Sequence, residues 1–510
     1  MKESYVDIIK LRRSIFSEIA RIAYEDEDLR MLEKSVYRIM PGEVGNFRDS
    51  IFKERAIVGQ RLRMGLGLNH HKADEMRSIT EGIEEIDVDS MFYETPLVDV
   101  ISFACEACPT AAYYVTDQCK KCYAHPCINV CPVGAVSMGE TRTIIDTKKC
   151  IKCGRCKNTC PYSAIINYDR PCASVCGVKA IGSDEYGRAK IDHDKCVSCG
   201  RCITQCPFAA ITDKTQIYQL IKSIKNGDKV YAMLAPSFVS QFGPKVKPMQ
   251  IVEGLTQLGF KGVIEVGLGA DFTTLHESRE FVEKVPHEIP FMATSCCASW
   301  SMMVEKMFPE QYKFISHSPS PMIESAKYHK RVEPDARVVF IGPCVSKKAE
   351  AMRESVRGYV DFVITFEELM GMFVAKGIDL ESLPMSRAIE DDASATGRGY
   401  AVAGGVAAAV KDAILRIDPT REVKIESAQT LQDCVKLMQL AKAGQKNGYL
   451  IEGMACPGGC IGGPGTISSL TKVRKEVTKF MGESKYESPF ENEYIEKTLR
   501  EKEFSVEESL

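Results

Sequence analysis

The sequence predicts a multidomain protein of mixed α+β and α/β class, in which a cysteine-rich region precedes an α/β domain with parallel sheets covered by helices. The chain of 510 residues is too long for one hydrophobic core. Sixteen of its 22 cysteines fall between residues 105 and 206. After about residue 225, short apolar runs alternate with helical patterns. We therefore predict a helical region at 1–100, a cysteine-rich domain at 101–222 and an α/β domain at 223–510.

The composition is that of a globular protein, with 45% apolar residues, 26% charged residues and a formal net charge of −3. This balance gives no reason to expect nucleic acid or an anionic membrane as a partner. The first residues carry charges throughout, which predicts no signal peptide. The longest apolar run, at 401–410, is about half as long as a membrane span. We expect a cytoplasmic protein.

Both ends of the chain predict helices. Residues 1–100 contain no cysteine and show charged amphipathic patterns. They are interpreted as a helical cap on the cysteine-rich region, with a docking surface for a partner as the alternative. The stretch after about residue 468 predicts short helices that close over the preceding domain.

The cysteine-rich region contains a repeat that uses all sixteen of its cysteines. Four segments share one pattern: CPVGAV (131–136), CPYSAI (160–165), CGVKAI (176–181) and CPFAAI (206–211). Each follows another cysteine by four positions, namely Cys127, Cys156, Cys172 and Cys202. Four Cys-x-x-Cys pairs complete the set: Cys105 with Cys108, Cys119 with Cys122, Cys150 with Cys153, and Cys196 with Cys199. In a reducing compartment such regular spacing indicates metal ligation.

This spacing is typical of two-cluster ferredoxins, in which three thiolates of one run bind a [4Fe–4S] cluster and the fourth cysteine binds its neighbour. Because the fourth motif is split, we predict one ferredoxin-like unit nested inside another. The inner unit would pair Cys119, Cys122 and Cys127 with Cys160, and Cys150, Cys153 and Cys156 with Cys131. The outer unit would pair Cys105, Cys108 and Cys172 with Cys206, and Cys196, Cys199 and Cys202 with Cys176. Three clusters with unligated thiols, or zinc ribbons, are the alternatives, although zinc sites lack the Cys-Pro tail.

The α/β domain is predicted from five apolar runs that stop at Gly, Pro, Phe or Cys: 229–236, 261–269, 336–344, 360–366 and 447–456. Helical patterns lie at 275–285, 347–356, 366–377, 405–417 and 430–443. Ligands of parallel sheets gather at the carboxyl ends of the strands. Cys344 and Cys456 both follow strands, so they could share one site. Cys434, with Leu431 and Leu437 at helical spacing, is predicted to pack in the core.

Three further cysteine motifs follow: TSCCASW (294–300), GPCVSKKAE (342–350) and EGMACPGGCIGGPGT (452–466). The adjacent Cys296 and Cys297 could form a vicinal disulfide, two buried thiols, or a metal ligand with a reactive neighbour. Either later motif alone could be a turn with an incidental buried cysteine. Together, Cys297, Cys344, Cys456 and Cys460 supply four thiolates, enough for one more cubane.

These motifs, in this order and after ferredoxin repeats, resemble the catalytic domain of [FeFe]-hydrogenases over roughly residues 105–490. That family carries TSCCPxW, Pro-Cys-x-x-Lys-x-x-Glu and Met-Ala-Cys-x-x-x-Cys. Its H-cluster is a [4Fe–4S] cubane linked by a cysteine to a diiron unit with CO, cyanide and azadithiolate ligands. The resemblance implies that Cys297, Cys344 and Cys456 hold the cubane and that Cys460 bridges to the diiron unit. It also implies diiron contacts from Lys347, Ala235, Pro236, Ser237 and Met454.

The resemblance further implies a proton relay through Glu280, Ser316, Glu277 and Cys296, the last as a free thiol. Glu277 and Glu280 are three apart and share a helix face, for which a solvated face is the alternative. Glu350 is a weaker candidate, and Trp300 is expected to pack beside the site.

The implied function is an iron hydrogenase of the hydrogen:ferredoxin oxidoreductase type, interconverting H2 with two protons and two electrons. A ferredoxin or similar redox carrier would exchange electrons, and maturation proteins would supply the diiron unit. A hydrogen sensor with low turnover and a non-catalytic iron–sulfur assembly protein are the alternatives. Ala298, Gly342 and the loop IGGPGT depart from the family pattern without removing a ligand. In this the chain resembles monomeric group B members.

Overall fold

The computed structural model describes residues 6–72, 74–86, 95–110, 112–386, 389 and 393–495. The end of the predicted C-terminal helices, residues 496–510, lies outside the described residues. No helix in the described part of the chain is long and apolar enough to cross a membrane.

The chain begins with three helices: α1 (Val6–Glu25), α2 (Leu32–Ile39) and α3 (Ile51–Gly65). The Ser50 hydroxyl accepts a hydrogen bond from the Lys53 amide and caps α3. One face of α1, including Phe16 and Ile19, is buried in the same apolar cluster as the sheet strand at Val230–Leu234. These helices therefore cover the α/β domain as well as the cysteine-rich region, which α3 contacts through Arg61.

The cysteine-rich region is built from short strands and one-turn helices. Its elements are β1 (Val98–Val100), β2 (Ala112–Val115), α4 (Pro126–Asn129), β3 (Val136–Met138), β4 (Thr143–Ile145), α5 (Arg155–Thr159), β5 (Ile165–Tyr168), α6 (Pro171–Ser174), β6 (Ile181–Ser183), β7 (Ala189–Ile191), α7 (Arg201–Gln205) and β8 (Ile211–Asp213). Each strand pairs antiparallel with one other, as β1–β8, β2–β5, β3–β4 and β6–β7. The first and last strands thus enclose the others in sequence.

The remaining residues form two parallel sheets with helices around them. The elements are α8 (Ile217–Lys225), β9 (Val230–Leu234), α9 (Pro248–Leu258), β10 (Gly262–Glu265), α10 (Val266–Lys284), β11 (Met292–Ala293), α11 (Ala298–Met307), α12 (Pro321–Val332), β12 (Arg337–Gly342), α13 (Ser346–Ala351), β13 (Phe362–Thr365), α14 (Phe366–Lys376), α15 (Ala395–Gly399), α16 (Gly405–Ile417), β14 (Lys424–Gln429), α17 (Leu431–Lys442), β15 (Tyr449–Met454) and α18 (Leu470–Gly482). One sheet has the order β10-β9-β12-β13 and the other β11-β15-β14. All their pairings are parallel, as the alternation of apolar runs and helices predicts.

The apolar strands β9, β12 and β13 are buried along nearly their whole length, which is typical of a sheet covered on both faces. Helix α1 packs closely on α14, where a Cβ on Gly371 would lie 2.7 Å from the Phe16 Cβ. The carboxyl ends of β11, β12 and β15 carry the three late cysteine motifs.

Candidate active site

The sixteen early cysteines have a repeated backbone geometry. In each Cys-x-x-Cys pair, the residue before the second cysteine has a left-handed backbone: Ala107, Lys121, Lys152 and Ser198. In each of the four repeated segments, the residue three positions after the first cysteine is also left-handed: Gly134, Ser163, Lys179 and Ala209. The φ values of all eight residues lie between 45° and 60°. This curvature turns peptide N–H groups toward sulfur. The amides of Ala135, Ala164, Ala180 and Ala210 each donate to the thiol four residues earlier, at 3.2–3.4 Å.

The structure brings together all four cysteines of three predicted sets, and Cys131, Cys150 and Cys156 of the remaining set. We name them site I (Cys119, Cys122, Cys127, Cys160), site II (Cys131, Cys150, Cys153, Cys156), site III (Cys105, Cys108, Cys172, Cys206) and site IV (Cys176, Cys196, Cys199, Cys202). A single cavity is lined by all four thiols of site I. In site III, burial and then the neighbouring thiols raise the pKa of Cys172 to about 12. Burial, and with it the thiols of their own sites, also raises the pKa of Cys156 in site II and of Cys202 in site IV.

Within the described residues, no group of three or more His, Cys, Asp or Glu converges on a point where a single ion would be bound. A cubane places a separate iron behind each thiolate, so its ligands stand around the cluster and do not meet at one point.

The four later cysteines form a fifth group, here called the central site: Cys297, Cys344, Cys456 and Cys460. Cys297 lies after β11 at the N-cap of α11, and Cys344 lies between β12 and α13. The other two lie in the loop after β15. Burial, followed by the thiols of Cys297 and Cys344, raises the pKa of Cys460 to about 12. The ends of strands from both sheets therefore meet here, as expected of a parallel-sheet ligand site.

Glycines allow the loops of the central site to touch. The Gly465 amide donates to the Pro343 carbonyl at 2.9 Å, and a Cβ on Gly463 would lie 2.5 Å from the same oxygen. A Cβ on Gly342 would lie 2.5 Å from the Phe340 ring. The departure from the family pattern at Gly342 thus leaves room for Phe340.

Site IV adjoins the central site. A Cβ on Gly200 would lie 2.9 Å from Val345 and 3.0 Å from Pro464, both in central-site loops. The thiol of Cys199 also contributes, after burial and nearer thiols, to the raised pKa of Cys456.

Trp300 packs beneath the central site. Its side chain is fully buried, and its indole nitrogen donates to the Thr294 carbonyl at 3.1 Å. The ring lies against β15, because a Cβ on Gly453 would be 2.1 Å from it. Cys434 is also fully buried, and its thiol faces the Met454 carbonyl at 3.6 Å.

Lys347 is a buried cation next to the central site. Its ammonium donates to the Cys296 carbonyl at 3.2 Å and to the Ser320 hydroxyl at 2.8 Å, and it pairs with Glu350 at 2.5 Å. Burial alone would lower the pKa of Lys347, but Glu350 raises it above the ordinary value. The ammonium is therefore charged at neutral pH.

The segment Ala235–Ser237 follows β9, where the Ala235 amide donates to the Ile341 carbonyl at 3.0 Å. Ser237 is fully buried, and its hydroxyl has no hydrogen-bond partner among the described residues. Met454 is buried in the apolar cluster that also contains Cys296. An orphaned hydroxyl, a buried cation and thiol donors fit a cofactor that combines a cubane with polar diatomic ligands.

Three of the predicted relay residues lie in two hydrogen-bonded pairs, Ser316 with Glu280 and Glu277 with the unpredicted Ser295. The Ser316 hydroxyl donates to Glu280 at 2.6 Å. Glu277, by contrast, accepts from the amide of Ser295 at 2.8 Å and from its hydroxyl at 3.1 Å, while its second carboxylate oxygen is buried without a partner. Burial raises the pKa of Glu277 to about 8. No hydrogen bond among the described residues joins the two pairs or joins Glu277 to Cys296.

Burial, followed by Glu277, raises the pKa of Cys296 well above its usual range, so this thiol is protonated at neutral pH. A buried thiol and a carboxyl with a pKa near neutrality are groups that can exchange a proton when they come within hydrogen-bond reach.

Sequence reasoning missed several polar neighbours. Ser295 binds Glu277, Ser320 binds Lys347, and Ser299 donates to Ser346, which lies 3.0 Å from the Cys344 sulfur. Ser295 and Ser299 belong to the TSCCASW motif, so their position in the sequence could have indicated that they lie near the central site. No motif in the sequence indicated Ser320, because it lies outside the cysteine motifs, at the start of α12.

Residues 228–464 match the family model described as iron-only hydrogenase large subunit, C-terminal domain. Residues 143–166 match a 4Fe-4S binding domain, and residues 166–217 match the LdpA Fe-S cluster-binding domain. Two segments similar to iron–sulfur binding domains thus precede a segment similar to the C-terminal domain of iron-only hydrogenases.

Among curated proteins, the chain is 30% identical over 376 residues to iron hydrogenase 1 of Clostridium pasteurianum, covering 63% of this chain and 64% of that protein. It thus spans less than two thirds of that relative. A shorter stretch of 149 residues is 32% identical to the cytosolic Fe-S cluster assembly factor NAR1 of Yarrowia lipolytica, covering 26% of this chain and 30% of that protein. A solved structure of a variant of [FeFe]-hydrogenase HydA1 from Chlamydomonas reinhardtii shares 22% identity and a TM-score of 0.45, covering 56% of this chain and 94% of that one.

Proposed function

We propose that this chain is an iron hydrogenase that interconverts H2 with two protons and two electrons. The observation that carries the proposal is the placement of Lys347, a buried cation held against the Cys296 backbone beside four thiols. A cubane ligated by cysteines needs no such cation. A cyanide ligand does, because a charge-assisted hydrogen bond would hold it in place.

In this proposal Cys297, Cys344 and Cys456 hold the cubane, and Cys460 bridges it to the diiron unit. When bound, the cofactor supplies the iron at which H2 is formed or split. Lys347 and the Ala235–Ser237 segment orient the diatomic ligands, with the free Ser237 hydroxyl as a donor. Met454 contributes apolar packing that excludes water.

Protons would pass between solvent and the site through Glu280, Ser316, Glu277 and Cys296, in that order from the surface. Two pairs, Ser316 with Glu280 and Ser295 with Glu277, are in hydrogen-bond contact. Ser295 precedes Cys296 and supplies a hydroxyl that was not part of the predicted relay. Because the pKa of Glu277 is near 8, this carboxyl can both accept and return a proton at neutral pH.

Electrons would move through four [4Fe–4S] clusters in sites I–IV, arranged as two nested ferredoxin-like units, and leave site IV for the central site. A ferredoxin or similar carrier would exchange them at site II, whose Cys153 is exposed. Residues 112–168 contain eight Lys and Arg but three Asp and Glu. The exposed Ile151 and Lys152 directly precede Cys153, so an acidic carrier fits this surface.

The diiron unit would be delivered by maturation proteins, and the 22 unpaired cysteines suit the reducing cytoplasm. Ala298 and Gly342 favour the monomeric group B branch. The competing function is iron–sulfur assembly without turnover, which the stretch similar to NAR1 favours.

The test is to load purified protein with iron, sulfide and a synthetic diiron complex under anaerobic conditions. We expect infrared bands of bound CO and cyanide, which report loading of the diiron unit. We also expect viologen-linked H2 evolution and uptake, which report turnover. Failure to retain the diiron unit would favour assembly, and a loaded site with almost no turnover would favour a sensor.

A further inference from the structure

Two buried arginines lie on either side of site III and have no carboxylate partner. The Arg170 guanidinium donates only to backbone carbonyls: twice to Cys108, at 3.0 and 2.8 Å, and once each to Gly182 and Gly187, at 2.8 and 2.6 Å. Its side chain is 4% exposed and lies two residues before Cys172.

Arg61 approaches the same site from α3. It is 3% exposed and donates to the carbonyls of Ala209 and Ile211, in the loop that follows Cys206. Its Nε has no hydrogen-bond partner among the described residues. Burial lowers the pKa of Arg61 to about 10, so it remains charged at neutral pH.

Neither guanidinium lies within 4.0 Å of a carboxylate of the described residues. A third arginine, Arg48, donates to the Ala104 and Phe208 carbonyls, but its charge is offset by Glu106 at 2.8 Å. Site III is thus flanked by two buried positive charges without a carboxylate at salt-bridge distance, although Asp213 and Glu367 act on Arg61 from farther away.

Such charges change the electron affinity of a cluster. Reduction adds one negative charge to a cubane, and burial alone disfavours that charge. A fixed cation nearby favours it, most strongly where water does not screen the interaction. The Arg170 guanidinium donates to the Cys108 carbonyl at 2.8 Å and lies two residues before Cys172, so this cation stands beside two ligands of site III.

The other sites lack this arrangement. Each of the four sites has two hydrogen-bond contacts at sulfur, so these contacts do not set site III apart. Among the described residues, the lysines beside sites I and II, such as Lys121 and Lys152, are exposed and screened by salt. At site IV the cation that donates to a ligand carbonyl, Lys306 at 2.7 Å from the Cys196 oxygen, is exposed, and Arg201 is only half-buried.

We propose that Arg61 and Arg170 give the cluster of site III the highest reduction potential of the four accessory clusters, so that it stores one electron. This inference rests on the proposed function only for the presence of the clusters. Site III adjoins site IV, since the Cys172 thiol is among the groups that act on Cys202. An electron from a reduced one-electron carrier would wait there until a second arrives, which suits a reaction that consumes two.

The test is an EPR-monitored redox titration of full-length protein with reconstituted iron–sulfur clusters and no diiron unit. In wild type, the couple of highest potential is expected to be the one that a Cys172→Ala variant loses. Arg170→Gln and Arg61→Gln are each expected to lower the reduction potential of that couple by at least about 59 mV. For one electron, this is a tenfold decrease in the ratio of reduced to oxidised cluster at a given potential.

Arg170→Lys and Arg61→Lys keep the charge and should restore most of the potential, which separates charge from packing. They also serve if a Gln variant fails to fold. The matched control is Arg188→Gln, because Arg188 lies in the same unit but pairs with Asp184 at 2.7 Å; it should shift the couple less than threefold.

Three results would overturn the proposal. The reduction potential of the couple could be unchanged in both Gln variants, it could be as low in a Lys variant as in its Gln counterpart, or the couple of highest potential could survive Cys172→Ala. None of these results depends on H2 turnover. Failure of sites I–IV to bind iron would instead remove the proposed function.

Discussion

Replacing Glu277 with glutamine should raise stability at alkaline pH while removing most turnover. The carboxyl is fully buried, and burial raises its pKa from 4.5 to about 8. Folding therefore keeps a proton that the unfolded chain releases above about pH 4.5. Because the folded state binds more protons, stability falls as pH rises from 4.5 to 8.

The size of the effect follows from this shift. One pKa unit corresponds to about 1.4 kcal/mol, so the wild type loses about 3 kcal/mol of unfolding free energy between pH 4.5 and pH 7 and about 4 kcal/mol by pH 8. Glutamine is uncharged and has no such loss. Its carbonyl can keep both bonds from Ser295, but its NH2 group replaces the unpartnered oxygen and costs about 1–3 kcal/mol. At pH 7 Glu277→Gln should thus be as stable as wild type or slightly more stable.

Turnover should respond in the opposite direction. Glutamine cannot carry a proton, and a general acid or base contributes about 10²–10⁴-fold to rate. The assays are urea unfolding between pH 5 and 8 and viologen-linked H2 evolution, with iron content and infrared bands to show unchanged loading. Parallel stability curves for the two proteins would refute the buried, protonated carboxyl, and retained turnover would refute its place in the relay.

Three further predictions concern other parts of the chain. Ser316→Ala removes the 2.6 Å bond to the relay carboxylate and should slow turnover at least tenfold without changing cluster content, as iron analysis would verify. Gly453→Ala places a methyl group where the Trp300 ring lies at 2.1 Å and should cost about 1–3 kcal/mol in urea unfolding, whereas Gly482→Ala, with open space around it, should cost almost nothing. Lys152→Glu should slow cluster reduction by an acidic ferredoxin severalfold at low salt but leave reduction by dithionite unchanged in stopped-flow absorbance; equal slowing with both reductants would point to damage at site II.

The cysteine ligands could be predicted because their spacing is local. A loop of three or four residues fixes where its thiols point, so a repeat in sequence becomes a repeat in backbone angles. Strands β9, β12 and β15 were also predicted, since their apolar runs end at Gly, Pro or Cys. Helix α16 was predicted with its observed bounds of 405–417.

Other elements were predicted wrongly or overlooked. The run 261–269 was predicted to be a strand, but β10 ends at Glu265 and α10 begins at Val266. A short apolar run does not distinguish a buried strand from a buried helix. The predicted helix at 347–356 ends at Ala351, and the short strand β11 was not predicted.

What local spacing does not reveal is the charge around each ligand. Arg61 lies 145 positions before Cys206 in the printed sequence, and only packing of α3 on β8 brings its guanidinium to that loop. Glu277 is similar, because burial by distant segments raises its pKa, while hydrogen bonds from Ser295, 18 residues away, act in the opposite direction. Ligand identity is thus encoded in short motifs, whereas the energetics of electron and proton transfer depend on contacts between distant segments. Two chains with the same cysteine motifs could therefore differ widely in rate and in direction, and Arg61, Arg170 and Glu277 are the residues at which this chain should be compared with its relatives.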